Sequence, residues 1–408
     1  MMLPRRLKAF AKTLMPSIAR KNLFEDLPRF LVAQAGIMFA VSLVTIQTGI
    51  FKGVIQSTAT LIDSSAADIW VGSENLAALE MTVPIPYDRL SQAQKVEGVD
   101  KAEALVMNGS LWRNALGNIN HVRIFGFDPN GELFTPGTVT KGRLSDLEKP
   151  YRVLIDRRSF DKLKVGGWKQ EVVALGGFET TVAGFTTDTQ CAISSPFVFT
   201  SLENANAYGT AKLPPEPLSG PQPEPLKLTT DDNIAYVLVR AKPGVDLNLL
   251  KHRLEQALPY TRAYTKAEMA EKTRTYWERR TGIGFILGLG AGVGLIVGVV
   301  VVGQILYSSV SDHLKEFGTL KAIGASNVTI YSVIIEQSLW MAVMGYLPGM
   351  ALCVGVRAWV LASQGLLISI SVPTAVGVFG ITVVMCISAA IFAIHKVNRV
   401  DPAIVFKA

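Results

Sequence analysis

The stretch Phe30–Phe51, FLVAQAGIMFAVSLVTIQTGIF, holds 22 residues without a charge. A bilayer core of about 30 Å needs roughly 20 helical residues at about 1.5 Å each, so the run is long enough for a complete span. It is too long, starts too far into the chain and lacks the clean small-residue ending expected of a cleaved signal peptide. Three further runs follow: Thr281–Ser311 without a charge, Val328–Val356 with only Glu336, and Ala358–Ile394, which includes a connecting loop. The expected fold is an α-helical membrane protein with four transmembrane helices and an α+β extracytoplasmic domain inserted between the first and second.

Charge orients this topology. Residues 1–29 carry Arg5, Arg6, Lys8, Lys12, Arg20, Lys21 and Arg29 against Glu25 and Asp26, and the tail carries Lys396, Arg399 and Lys407 against Asp401. The positive-inside rule then places both termini in the cytoplasm of a multi-pass inner-membrane protein. Residues 52–279 hold 26 basic and 27 acidic side chains, so the +7 of the chain comes from the membrane flanks and gives no support to nucleic-acid binding. Cys191 is alone in the inserted domain, which excludes a disulfide within it, and the four histidines lack metal-ligand spacing.

The expected segments are a basic N-terminal segment 1–29, spans at 30–51, 282–311, 328–356 and 374–395, the inserted domain 52–279, a cytoplasmic segment 312–327, a short extracytoplasmic loop 357–373 and a tail 396–408. Within the inserted domain, β-branched and aromatic runs predict strands at 68–71, 104–112, 121–127, 153–155, 171–175, 180–185 and 234–239, with helices at 87–96, 157–163, 202–208 and 247–258. Leu213–Pro225, LPPEPLSGPQPEP, has six prolines in thirteen residues and reads as a surface insertion. Its LSGPQ resembles an ATPase signature, but a proline stands where a glycine backbone must approach phosphate, and the dipeptide Gly-Lys of a P-loop occurs nowhere. No nucleophile motif emerges, so the reading is a non-enzyme without a bound metal or cofactor. Both domain flanks, 52–62 and 266–280, read as helices that continue from the membrane as a stalk; the alternative is that they stop at an interfacial belt with Tyr276 and Trp277.

Three features can carry function. Gly284, Gly288, Gly290, Gly292, Gly294 and Gly298 recur four apart in the second span and predict close helix contact, with a helix of this chain or of a second copy. Glu336 lies about 12 Å into the third span at helical rise; without a basic intramembrane partner it suits structure or coupling better than a proton relay. In Asp312–Asn327, Leu314, Phe317, Leu320, Lys321 and Ile323 can share a short amphipathic helix. Gly324 is its exit, and Ser326 or Asn327 caps the next span. That apolar side either rests on lipid or docks a soluble partner.

These segments resemble the ABC-transporter permeases of the FtsX-like or MacB-like superfamily. KEFGTLKAIGAS at Lys315–Ser326 is similar to the family's R-E-I-G-I-L-R-A-I-G-A-S block, Ala19–Asn22 before the first span to its leading segment, and Asp401-Pro402-Ala403 to its closing P-A-E-A-L element. Ile46–Asn75 and HVRIFGFDP at His121–Pro129 resemble the DevC-like branch. The resemblance implies a homodimeric permease bound to a separate ATPase subunit that holds the ATP. Leu314, Lys315, Glu316, Phe317, Leu320, Lys321 and Gly324 would then form the coupling helix seated in that subunit. It further implies membrane-fusion adaptor and outer-membrane channel partners and export of a hydrophobic or lipid-like cargo. FtsX-like regulation of an envelope hydrolase and lipoprotein release are the alternatives within the same architecture. The proline-rich segment 213–225 departs from the family pattern.

Overall fold

The computed structural model describes residues 27–114, 116–166, 171–189, 191–210, 221–313, 316, 319, 323–364 and 368–398. Contacts divide the chain into two compact units, Val54–Thr281 and the remainder from the two flanks. Helix α1 spans Leu27–Ser57 and so continues past the charge-free run. It ends where Ser57 Oγ and Thr58 Oγ1 donate to the carbonyls of Val54 and Ile55, each at 2.7 Å. Hydroxyls that bond back to their own helix compete with its continuation.

The inserted domain runs through α2 (Thr60–Ser64), β1 (Ile69–Ser73), β2 (Ile85–Pro86), α3 (Asp88–Gln94), β3 (Val99–Arg113), β4 (Ile119–Phe127), β5 (Thr138–Lys141), β6 (Arg152–Asp156), α4 (Phe160–Leu163), β7 (Val172–Leu175), β8 (Phe178–Thr187) and β9 (Phe197–Ser201). It closes with α5 (Leu202–Thr210), β10 (Asn233–Ile234), β11 (Tyr236–Ala241), α6 (Leu247–Ala257), β12 (Thr261–Thr265) and α7 (Lys266–Arg280). Strands β12-β1-β11-β3 are antiparallel throughout. With α3 after β1 and α6 after β11, they make a β-α-β-β-α-β unit of ferredoxin-like topology. Successive side chains on a strand point to opposite faces. Ile69, Val71, Val237 and Val239 accordingly join Leu250 and Leu254 in one core, while Trp70, Tyr236 and Leu238 join Leu61, Ile62, Met269 and Ala270 in another. Helices cover both faces, which is why β1 buries all five residues and its sequence shows no polar alternation.

The insertion between β3 and β11 forms a barrel. Strand β3 continues beyond β11 to pair with β4, after which β9, β6 and β8 follow. Strand β7 pairs with both β8 and β3, with Leu175 opposite Trp112, so six strands close on themselves and leave no free edge among them. Phe125 meets Phe197 edge to face at a ring separation of 4.9 Å and stacks on Phe199 at 5.7 Å, on the side that also buries Phe134.

Strands β9 and β12 lie outside the strands expected from sequence. All five residues of β9 are buried, so it shows no alternation, and β12 reads Thr-Arg-Ala-Tyr-Thr, with little apolar character. The second stalk junction also differs from expectation. Helix α7 stops at Arg280, Thr281 is extended at φ −87° and ψ 125°, and a new helix begins after Gly282. A β-branched residue followed by glycine is a poor helix pair, and Thr281 Oγ1 closes the end by donating to the Trp277 carbonyl at 2.6 Å.

Helices α8 (Ile283–Asp312), α9 (Asn327–Gln364) and α10 (Val372–Asn398) complete the membrane unit. With α1 they are four helices long and apolar enough to cross a membrane. The expected loop 357–373 is shorter than read, because α9 runs through Arg357 to Gln364 and also through Pro348. A charge near a helix end reaches outward on its long side chain and does not terminate the helix. Helix α1 is the hub: half of its most apolar window is buried, against 17% for α8. Lys52 Nζ donates to Thr374 Oγ1 at 2.8 Å, and Ser369 N–H to the Gly49 carbonyl at 2.9 Å, tying α1 to α10 and to the turn before it.

Candidate coupling loop and helix-packing surfaces

The loop between α8 and α9 begins at Asp312, which pairs with Arg29 at the start of α1. His313 Nδ1 lies 3.2 Å from the Glu316 carboxylate. Glu316 and Thr319 have helical backbone and exposed side chains, and the Ile323 N–H donates to the Thr319 carbonyl at 3.0 Å. Gly324 then turns the chain at φ +100°, in the left-handed region that ends helices and favours glycine. Ser326 caps α9: its Oγ accepts from the Thr329 N–H at 3.3 Å. Leu314, Lys315, Phe317, Leu320 and Lys321 lie outside the described residues. Ile323, assigned to the same helix, is 81% exposed.

The six candidate packing glycines divide into two sets. A Cβ added at Gly284 would meet the Phe51 ring at 3.0 Å, and one at Gly298 would meet Ala40 at 2.9 Å and, nearer still, Met385 of α10. Gly290 and Gly294 face Gln47 and Leu43, so all four lie against α1. Gly288 and Gly292 have nothing within 4 Å and share their side of α8 with the exposed Phe285, Leu289, Val293 and Ile296. A second glycine pair escaped the sequence reading. Gly345 and Gly349 of α9 sit against Ile37 and Val41 of α1, where a Cβ would lie 2.5 and 3.0 Å from those side chains. Their spacing of four was the available signal.

Glu336 is half-buried on α9, beside the buried Gln337 and Ser338, with no hydrogen-bond or ionic partner among the described residues. No three His, Cys, Asp or Glu side chains converge on a metal-sized site among those residues. Residues 213–220 of the proline-rich segment lie outside the described residues. Its end is anchored to the domain, where Tyr151 Oη donates to the Pro223 carbonyl at 2.6 Å and Gln222 Nε2 to the Glu179 carbonyl at 3.2 Å.

The inserted domain also carries an open groove of about 1220 Å³ along α6, β12 and α7, lined by Lys251, Arg262, Tyr264, Glu268, Tyr276 and Arg279 among others. Its carboxylates protect the outer edge of β12. Glu255 Oε1 accepts from the Ala263 N–H at 3.1 Å, and Glu268 Oε2 from the Thr265 N–H at 2.8 Å. Backbone donors satisfied in this way leave the edge a poor template for another strand. Burial alone would raise the Glu268 pKa, but the Lys251 ammonium at 2.5 Å and the Thr265 donors outweigh it and hold the carboxyl below its ordinary value.

Four helices long and apolar enough to cross a membrane, with a mixed α and β domain inserted in the chain between the first and second, define the architecture of a multi-pass membrane protein. The MacB-like periplasmic core domain family matches residues 30–257, and the FtsX-like permease C-terminal family matches residues 284–402. The chain belongs to the FtsX-like permeases that carry a MacB-like periplasmic core domain. It is similar to the pyoverdine export ATP-binding/permease protein PvdT of Pseudomonas savastanoi pv. phaseolicola, 28% identical over 120 residues, 29% of this chain and 18% of that one. The macrolide export ATP-binding/permease protein MacB of Hyphomonas neptunium is 26% identical over 125 residues, 31% of this chain and 19% of that one. The matched segments thus span under a fifth of the relatives' length. Among solved structures, the periplasmic region of MacB from Actinobacillus actinomycetemcomitans superposes with a TM-score of 0.34 at 10% identity, over 53% of this chain and 95% of that chain. The extracellular domain of the transporter YknZ from Gram-positive bacteria gives 0.34 at 12% identity, over 48% and 98%. The fold assignment rests on strand order and the family match, not on these superpositions.

Proposed function

We propose that this chain is the permease subunit of an ABC exporter whose ATP is hydrolysed on a separate ATPase subunit. The supporting observation is the α8–α9 loop, which carries KEFGTLKAIGAS and starts at the residue that pairs α8 with Arg29 of α1. A push on this loop enters the helix that holds the rest of the membrane unit together. Residues 314–324 form the ATPase-docking helix in this reading, and Glu336 acts in the same movement without carrying protons. The permease works as a homodimer in the inner membrane with both termini cytoplasmic, a topology supported by the basic flanks. A hydrophobic or lipid-like cargo, passed through a membrane-fusion adaptor to an outer-membrane channel, follows from the likeness of Ile46–Asn75 and His121–Pro129 to the DevC-like branch. The test is co-purification with the candidate ATPase. Phe317→Asp and Lys321→Glu are expected to release it while leaving the permease folded, and retained association in both variants overturns the docking assignment.

A further inference from the structure

Residues 191–196, which lead into β9, connect three parts of the inserted domain by hydrogen bonds. The Ala192 N–H donates to Ser57 Oγ at 3.1 Å, and Ser57 is the last residue of α1. That hydroxyl spends its own proton on the Val54 carbonyl, so its lone pairs face outward as acceptors. Cys191 Sγ lies 4.0 Å from the same oxygen and is 1% exposed. Three residues on, Ser194 Oγ donates to Glu80 Oε2 at 2.5 Å. Glu80, whose side chain is 7% exposed, also accepts from Arg123 Nε of β4 at 3.3 Å. Ser195 Oγ meets His121 Nδ1 of β4 at 3.2 Å, and the Arg123 N–H donates to the Pro196 carbonyl at 2.9 Å. Thr189 donates its N–H and its hydroxyl to the fully buried Asp156 Oδ2, at 2.9 and 2.5 Å.

We propose that residues 191–196 are a strap that makes the end of α1, the loop around Glu80 and strand β4 one mechanical body, with Ser57 and Ser194 as its two fastenings. Three properties support this. Its contacts are made to separate elements, so the segment cannot shift with one and stay behind the others. Glu80 is an anionic acceptor shielded from water, and charge-assisted bonds of that kind are the strong ones. Opening the Ser194 fastening would also leave a shielded carboxylate with Arg123 as its remaining charged partner and one donor fewer, which costs stability. The strap deepens the permease reading and rests on it: movement of α1 during the ATPase cycle would reach the barrel through these bonds. Ser57 and Ser194 are positioning residues in that movement.

Cys191 supplies a covalent test. The full permease with its ATPase is prepared as wild type, as Ser57→Ala with Ser194→Ala, and as Ser57→Cys. Added copper phenanthroline removes two electrons and two protons from the thiols at 57 and 191 to form a disulfide. Burial pushes the Cys191 thiol up to about 11, so it is protonated at neutral pH and the oxidation is slow. Amide exchange of residues 77–81 and 119–127 is read with and without ATP and vanadate, beside the ATP hydrolysis rate. The strap predicts an ATP-dependent exchange change in wild type and its loss in the double alanine variant, at an unchanged hydrolysis rate. In Ser57→Cys the change should be present when oxidised and weakened by dithiothreitol. An ATPase that associates and hydrolyses normally, with the same exchange change in the double alanine variant as in wild type, overturns the strap alone. Failure of any ATPase to associate overturns the permease reading and the strap together.

Discussion

Strand β1 in the inserted domain buries all five of its residues, whereas the apolar helix α8 in the membrane unit buries only 17% of its most hydrophobic window. Phe285, Leu289 and Ile296 of α8 are 76, 60 and 64% exposed. In water an apolar side chain gains by leaving solvent, about 25 cal/mol for each Å² removed. In lipid that gain is absent, and helices hold together where small residues let backbones approach. The same apolar letter thus marks the core in one unit and the periphery in the other. The membrane unit is held by close approach at its glycines against α1 and by a smaller buried set that includes Ile37, Leu306, Ile334 and Met385.

The comparison fails if large side chains do not dominate the inserted domain. Trp112 is fully buried where β7 meets β3 to close the barrel. Trp112→Ala should destabilise the inserted domain by about 3–5 kcal/mol, as large-to-small core changes do. Urea unfolding followed at the remaining tryptophans measures it, and a loss below about 1 kcal/mol would contradict the closed barrel.

The converse holds in the membrane unit, where adding a side chain should do the damage. Gly345→Leu would drive a Cβ to 2.5 Å from Ile37 and 3.0 Å from the amide oxygen of the buried Gln34. We expect a loss of about 1–3 kcal/mol or more from overpacking. Gly292→Leu, with nothing within 4 Å, should stay within about 0.5 kcal/mol in detergent. Thermal melting of the two variants side by side reads the difference. Equal losses would place Gly292 in an interface that a single chain leaves open.

A third effect separates buried charge from buried apolar surface. Glu103, 8% exposed on β3, accepts the N–H groups of Glu132 and Leu133 at 2.8 and 3.0 Å and pairs with Lys101 at 3.0 Å. Glu103→Gln keeps the shape but loses the charge and one acceptor set, so about 1–2 kcal/mol should be lost in the same urea experiment.

The four spans and the inserted domain were legible because a charge-free run of some twenty residues matches the thickness of a bilayer and exceeds the length of most buried core helices. Strands with turn residues at their ends, such as β4 and β11, were legible because the turns mark where each apolar run stops. Strand β9 was not, because its contacts with β4 and β6 are long-range and full burial removes the alternation that marks a strand. Strand β12 was hidden by its polar sequence, since β1 and two capping carboxylates define it. The glycine set was recognised as a packing feature, but one face of it could not be told from the other. Facing depends on where α1 lies, and four-residue spacing in a single helix carries no information about its neighbours. The strap at 191–196 had no sequence signal at all, because Ser57 and Glu80 are brought to Ala192 and Ser194 only by folding.

The smallest expected effect concerns the segment that follows the proline-rich stretch. Asp232 Oδ2 accepts from the Thr229 N–H at 2.6 Å and from its hydroxyl at 3.0 Å, and Oδ1 accepts from Asn206 Nδ2 of α5 at 2.8 Å. The Thr229 N–H is the main reason its carboxyl titrates below the ordinary aspartate value, with the Asn206 amide assisting against partial burial. A depressed folded value means that the unfolded chain takes up the proton first as pH falls. The stabilisation is therefore fully present above about pH 3.9 and is lost as pH falls from there through the folded value. The site is partly open to water, so the contribution should stay below about 1 kcal/mol. Asp232→Asn should flatten the acid limb of the stability profile while leaving its slope near neutrality unchanged. An unaltered acid limb would show that α5 and β11, not this carboxylate, hold the returning chain in place.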